Sequence, residues 1–202
     1  MTDGSDVRDG TILVVCTGNV CRSPYIERRL AAALEKTDIS VSSAGTGALV
    51  DSEMDPRVAQ RLRESGLRPD HFSARQLTAE LAASADLVLC ASRSHRAQVV
   101  RMNPRLLRRT YALADFSDLA QRVIDTGTIP SGPGSFVRSA TQAAEEARAD
   151  VQARTNEQAE IVDPFRQADK IFEQMFTQVD RLMPPIVALL TRSSTDRSSV
   201  TE

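Results

Sequence analysis

The sequence predicts a doubly wound α/β fold, a four-stranded parallel sheet with helices on both faces. Three observations predict it. Short apolar runs alternate with helical stretches between residues 11 and 123, which implies parallel pairing and right-handed crossovers. The run Asp86-Leu87-Val88-Leu89-Cys90-Ala91 is apolar without alternation, as in a strand covered on both faces. With 202 residues and 41% hydrophobic content, the chain has enough apolar mass for one packed domain.

Residues 1–10 are polar and read as a flexible N-terminus. Strand one is Thr11-Ile12-Leu13-Val14-Val15. Ser23 as cap and Pro24 at the first helical position then open a helix to about Lys36, with Ile26, Leu30, Ala33 and Leu34 on one face. Strand two runs from about Ile39 to Ser43 and ends in Ala44-Gly45-Thr46-Gly47. Asp55-Pro56 caps a helix that runs to about Glu64 and is closed by Gly66. Thr78 to Ser84 is a short helix, and the third strand follows it. Ser92 to Met102 is a helix ended by Asn103-Pro104, Arg109 to Leu113 is the fourth strand, and Asp115 to Val123 is helical.

Residues 125–160 break this rhythm. Thr126 to Ser135 is rich in Gly and Pro, and Thr141 to Gln158 is rich in Ala, Glu and Arg with few large apolar residues. The segment reads as a loop and an exposed helix, an insertion in a domain spanning 11–192; a lid or partner-docking element is the alternative. A closing helix from about Ala168 to Met183 carries Ile171, Phe172, Met175, Phe176, Val179 and Leu182 at helical spacing. Pro184-Pro185 is expected to break or kink it before a last turn near Thr191. Residues 193–202 read as a flexible tail.

A formal net charge of −2 gives no global field for nucleic acid or an anionic membrane. Three cysteines, an odd number, and no apolar leader argue for a reducing cytoplasm rather than a disulfide scaffold. No stretch approaches the ~20 apolar residues that a membrane span needs.

The chemistry gathers between strand one and the first helix, in Cys16-Thr17-Gly18-Asn19-Val20-Cys21-Arg22-Ser23-Pro24. In a chain of this composition, a Cys-x5-Arg-[Ser/Thr] match arises by chance about 0.06 times, so the pattern needs its strand-to-helix setting to carry weight. Backbone N–H groups from Thr17 to Arg22 at a helix N-terminus can surround a phosphate, and the Arg22 guanidinium can hold two of its oxygens. Lysine has the charge without the fork. Gly18, and Asn19 with its tolerance of left-handed backbone, let the loop curl. The same donors favour the thiolate form of Cys16, to which Ser23 can add a hydrogen bond. Attack on phosphorus would form a phosphocysteine, and the leaving oxygen would need a proton. Asp163, in Asp163-Pro164-Phe165-Arg166, is the candidate acid, although Asp-Pro before a helix also reads as a plain cap. Phe165 can stack on an aromatic leaving group.

Val14 to Pro24, Ser43-Ala44-Gly45, His71 with Ala74-Arg75-Gln76, Asp86 to Cys90 and Asp163-Pro164-Phe165 together resemble the low-molecular-weight protein tyrosine phosphatases in order and spacing. The resemblance covers about residues 11–122 and 160–192. It implies Cys16 as nucleophile, Arg22 as phosphate and transition-state binder, and Asp163 as general acid and then base. It also implies that Asn19 holds the loop through Ser23, Ser43 and His71, and that Thr17, Gly18, Asn19, Val20, Cys21, Ser23, Leu49 and Phe165 contact substrate. Gly47-Ala48-Leu49-Val50 followed by Asp55-Pro56 resembles the bacterial branch that serves tyrosine kinases of exopolysaccharide export. The implied partner is therefore a tyrosine-phosphorylated protein, with no cofactor and no metal. Eukaryotic members often carry aromatic walls where this chain has Leu49 and Arg166. In this family a cysteine placed like Cys21 can form a reversible disulfide with the nucleophile. Cys90 lies in a buried strand and reads as inert.

Two other readings compete. A thioredoxin-coupled arsenate reductase shares the fold and loop but needs further cysteines near the third strand, where this chain has Cys90 alone. A phosphosite-binding module without catalysis would not need Cys16, Arg22 and Asp163 together.

Overall fold

The computed structural model describes residues 9–128, 130 and 134–196. Its centre is a sheet of four parallel strands, β1 (Gly10–Cys16), β2 (Ile39–Gly45), β3 (Leu87–Cys90) and β4 (Thr110–Ala112), in the order β2-β1-β3-β4. From β1 the chain crosses to β2 on one side, and the later strands fill the other. The order therefore reverses at β1, and the C-terminal ends of β1 and β3 flank the crevice where such sheets bind ligands.

Alternation along β1 divides the core into two layers. Ile12, Val14 and Cys16 face α1 (Arg22–Ala33), α2 (Pro56–Glu64), α5 (Leu113–Asp125), α6 (Phe136–Glu146) and α7 (Asp169–Asp196). Leu13 and Val15 face α3 (Ala79–Ser84) and α4 (Arg93–Met102). Helices thus cover both faces. Caps set several boundaries: Asp55, Thr78 and Ser92 accept N–H bonds at the starts of α2, α3 and α4, and Gly66 at φ +74° follows α2.

Three elements differ from the sequence reading. Helix α1 begins at Arg22, with Cys21 in the cap position and no side-chain cap. Ser23 lies within the first turn and is fully buried, so its hydroxyl serves the loop instead of the helix end.

The helix expected from Thr141 to Gln158 runs instead over Phe136–Glu146, followed by a 3-10 turn at Ala147–Asp150. The helix is not exposed, because Val137, Ala140, Ala143 and Ala144 are buried against the sheet and its neighbours. Alanines let the helix approach closely while leaving no large apolar stripe to mark that face. At Gly10, φ is +131°, and a Cβ there would lie 2.7 Å from the Val137 Cβ. Only glycine fits where α6 meets the start of β1.

Pro184 and Pro185 sit inside α7 and do not end it. They remove the helical donors to the carbonyls of Asp180 and Arg181, a loss of about 3 kcal/mol for an interior proline. Beyond them Ile186, Leu189 and Leu190 are completely buried, and that packing carries the helix on. Of the ends read as loose, 1–10 and 193–202, Gly10 belongs to β1 and residues 193–196 to α7, while residues 1–8 and 197–202 lie outside the described residues.

Candidate active site

The loop from Cys16 to Arg22 is shaped from outside by the segment after β2. The carbonyls of Cys16, Thr17, Gly18 and Val20 accept hydrogen bonds from the N–H groups of Thr46, Gly47, Leu49 and Asp55, at 2.8 to 3.1 Å. Outward-turned carbonyls leave the loop's N–H groups to face the other way, into a nest at the start of α1. Gly45 makes this packing possible, since a Cβ there would stand 2.3 Å from the Thr17 carbonyl oxygen. Gln76 fixes the outer segment, accepting from Ala48 N and donating to the Thr46 carbonyl.

Asn19 takes φ +54° and is wholly buried. Its Nδ2 donates to Ser23 Oγ at 2.9 Å and to Ser43 Oγ at 2.8 Å, and its Oδ1 accepts from Arg75 N at 2.9 Å. A backbone N–H cannot accept, so the amide has only this orientation. Ser23 Oγ lies 2.9 Å from Cys16 Sγ and already accepts from Asn19, which leaves its proton for the sulfur.

His71 is not part of this network. It sits exposed at φ +56°, and Arg75 N makes the contact on Asn19 that the resemblance assigned to it. The loop is supported there by backbone, while the turn at His71 directs the ring to solvent. Ser43 does take its place, and its hydroxyl donates to Glu27 Oε2 at 2.5 Å. Burial raises the Glu27 pKa, countered by the Ser43 bond and by Arg28 and Arg75. In the sequence Glu27 is one polar position on an amphipathic helix, and nothing local marks it.

Arg22 is 3% exposed. Its Nη2 donates to Asp163 Oδ2 at 2.5 Å and to Thr17 Oγ1 at 3.4 Å, and its Nη1 to the Ile161 carbonyl at 3.5 Å. The acid arrives on a segment that extends the end of β3, where Ile161 N donates to the Ala91 carbonyl at 2.9 Å. Asp163 Oδ1 accepts from Phe165 N, a local turn, and α7 starts only at Asp169. Arg57 ties that start down, bonding Asp55 and Asp169 while lying 3.7 Å from the Phe172 ring centroid.

Cys16, Thr17, Gly18, Val20, Cys21, Arg22 and Asp163 line one cleft of about 120 Å³, bordered also by Gly47, Leu49 and Phe165. Leu49 and Phe165 are 43% and 38% exposed, so they form a rim open to solvent. Burial pushes the Cys21 thiol up to about 12, aided by Asp55 and Cys16, and Cys21 is therefore a neutral thiol at ordinary pH. Cys16, Cys21 and Cys90 are all free and buried. A larger cleft, about 690 Å³, lies at the opposite end of the sheet among Arg105, Arg108, Arg109 and Arg138, far from this sulfur.

Comparison with protein families matches residues 11–126 to the low molecular weight phosphotyrosine protein phosphatases. The chain belongs to that family. The low molecular weight protein-tyrosine-phosphatase Etp of Escherichia coli K12 is 28% identical over 177 residues, covering 88% of this chain and 92% of Etp. Wzb of Salmonella typhi is 40% identical over 95 residues, or 47% of this chain and 62% of Wzb. Among solved structures, the Erwinia amylovora tyrosine phosphatase AmsI superposes with TM-score 0.65 and 27% identity, covering 95% of this chain and 99% of that one. Wzb of E. coli K30 in complex with sulphate gives TM-score 0.64 at 25% identity, covering 90% and 98%. Like these low molecular weight protein-tyrosine-phosphatases, the chain is a hydrolase with a phosphatase fold. No helix among the described residues is long and apolar enough to cross a membrane.

Two groups reach the loop from elsewhere in the chain. Asp163 lies beyond residue 126, on the far side of α6. His95 lies inside the matched residues, yet no sequence signal singled it out. Its Nε2 is 2.9 Å from Thr17 Oγ1. Ser92 and His95 at the start of a helix read as an ordinary cap and its first turn.

Proposed function

We propose that this chain hydrolyses phosphotyrosine in proteins, and small aryl phosphates, through a phosphocysteine. The observation that carries this reading is the meeting of Cys16, Arg22 and Asp163, 141 residues from Arg22, around one cleft. Arg22 and the loop N–H groups bind the phosphoryl oxygens, where charge is greatest in the transition state. Cys16 Sγ attacks phosphorus in line with the leaving oxygen; the S–P bond forms as the P–O bond breaks. Asp163, protonated for this step, gives its proton to the departing phenolate. Water then attacks phosphorus, Asp163 takes back a proton, and the S–P bond breaks to release phosphate.

The ion pair between Arg22 and Asp163 has a part in this cycle. A phosphate dianion competes for the same guanidinium, so substrate binding frees the half-exposed Asp163 carboxylate, which takes up a proton from solvent and turns toward the leaving oxygen as an acid. Ser23 Oγ, held by Asn19, stabilises the sulfur as it leaves phosphorus. Leu49 and Phe165 offer an apolar rim for an aryl ring, shallower than two aromatic walls would make. The substrate is a tyrosine-phosphorylated protein, with bacterial tyrosine kinases of polysaccharide export as the first class to try. Three free thiols fit work in a reducing cytoplasm.

Turnover of p-nitrophenyl phosphate in excess chelator tests the mechanism. Hydrolysis is expected to persist with chelator, to vanish in Cys16→Ser, and in Asp163→Asn to slow most for phenols of high pKa. Activity that survives Cys16→Ser, or that needs a divalent metal, contradicts it.

A further inference from the structure

Thr17, next to the proposed nucleophile, joins Arg22 to a group that the mechanism has not yet used. Its Oγ1 lies 3.4 Å from Arg22 Nη2 and 2.9 Å from His95 Nε2. Arginine only donates, so Thr17 accepts from Arg22. His95 belongs to the first turn of α4, which follows β3, the neighbour of β1 at the switch point. On its other side, His95 Nδ1 lies 2.6 Å from Ser92 Oγ, which also accepts from His95 N and lies 2.7 Å from Ser94 Oγ. The imidazole is bonded at both nitrogens and is 4% exposed.

Burial, and then the positive charge of Arg22, push the His95 pKa down to about 4, against a smaller pull from Asp163. The ring is neutral near pH 7 and donates at one nitrogen while accepting at the other. Both tautomers fix the Thr17 hydroxyl. With the proton on Nε2, His95 fills the second lone pair of Thr17 and leaves its proton for the cleft. With the proton on Nδ1, Nε2 accepts a hydrogen bond from the Thr17 hydroxyl. In either case one lone pair of Thr17 stays on Arg22.

That contact gains weight during the proposed cycle. Once Asp163 turns to the leaving oxygen, the protein groups still holding the Arg22 guanidinium, among the described residues, are Thr17 Oγ1 and the Ile161 carbonyl. Neither bond is short, and a hydroxyl free to rotate would not define the plane of the fork.

We propose that His95 is a positioning residue of the phosphate cradle, fixing Thr17 Oγ1 so that Arg22 presents its fork in the plane of two phosphoryl oxygens. This rests on Arg22 as the phosphate binder.

Orthovanadate binding by calorimetry and p-nitrophenyl phosphate kinetics on the full chain test it together. His95→Ala is expected to weaken vanadate binding and lower kcat/KM about tenfold, the scale of a misaligned binding group. Thr17→Val should do the same, and the double variant should be no worse than either single one. His95→Gln, which keeps a donor and an acceptor, should recover most of the loss, a rescue that mere loosening of α4 would not give. Wild-type vanadate affinity in His95→Ala, or effects that multiply in the double variant, would overturn the proposal. Arg22→Lys separates the two claims: unchanged vanadate binding there defeats the active-site reading itself, whereas a large loss there with none in His95→Ala defeats only the role of His95.

Discussion

Asn19 commits both donors of its amide to the hydroxyls of Ser23 and Ser43, and its oxygen accepts from Arg75 N. Asn19→Ala removes all three and places a Cβ-bearing residue without local polar support at φ +54°, a conformation costing about 1 kcal/mol or more. The expected outcome is a fall in kcat of tenfold or more with a melting temperature lower by several degrees, read by steady-state kinetics and thermal denaturation. His95 makes a different prediction. Its folded pKa is about 4 against an ordinary 6.5, so below pH 6.5 the unfolded chain binds the proton that the folded one refuses. Stability should therefore fall as pH drops from about 6.5 to 4, by up to about 3 kcal/mol from this group, and His95→Gln should show a shallower fall in denaturant titrations. At this scale the sequence is legible where chemistry is local. Cys16, Asn19, Arg22 and Ser23 stand in one loop and declare their types. Arg75 acts through a backbone N–H that every residue but proline carries, so no side-chain type announces it, and the resemblance pointed to His71 instead. His95 reaches Thr17 across 78 positions, and only the pairing of β3 with β1 brings them together.

Among the elements, two glycines divide stability from activity. Gly10→Ala would drive a Cβ into Val137 at 2.7 Å and hold alanine at φ +131°. It should destabilise the chain by about 2 kcal/mol or more in chemical denaturation, while the enzyme that remains folded keeps its turnover, because α6 and the start of β1 lie at the end of the sheet away from Cys16. Gly45→Ala places its Cβ 2.3 Å from the Thr17 carbonyl and should act on the loop, lowering kcat/KM more than stability. The helices with sharp punctuation, Asp55-Pro56 to Gly66 and Ser92 to Asn103, could be read almost to the residue. Helix α6 could not, because its buried face is alanine and carries no large apolar period. Pro184-Pro185 misled for the opposite reason: a strong local rule was overridden by the burial of Ile186, Leu189 and Leu190.

At the scale of the molecule, strand order decides where chemistry can occur. With β1 between β2 and β3, the strand ends gather the loop, the Gly45 turn, the α4 start and the Asp163 segment at one crevice. The larger arginine-lined cleft sits by the opposite strand ends, around Asp86 and Arg109. Cleft size and chemistry thus point to different ends, and the bond network decides for the smaller. Removing charge by Arg105→Gln with Arg108→Gln should leave p-nitrophenyl phosphate turnover within about twofold, whereas Arg22→Lys should lose at least a hundredfold for want of the fork. The central claim is that Cys16 carries the phosphoryl group. Its most direct test is rapid acid quench of the enzyme during turnover of an aryl phosphate, followed by peptide mass spectrometry. The account predicts one phosphoryl group on the peptide bearing Cys16, absent from Cys16→Ser; phosphate on another residue, or turnover with no phosphoenzyme and an active Cys16→Ser form, would contradict it.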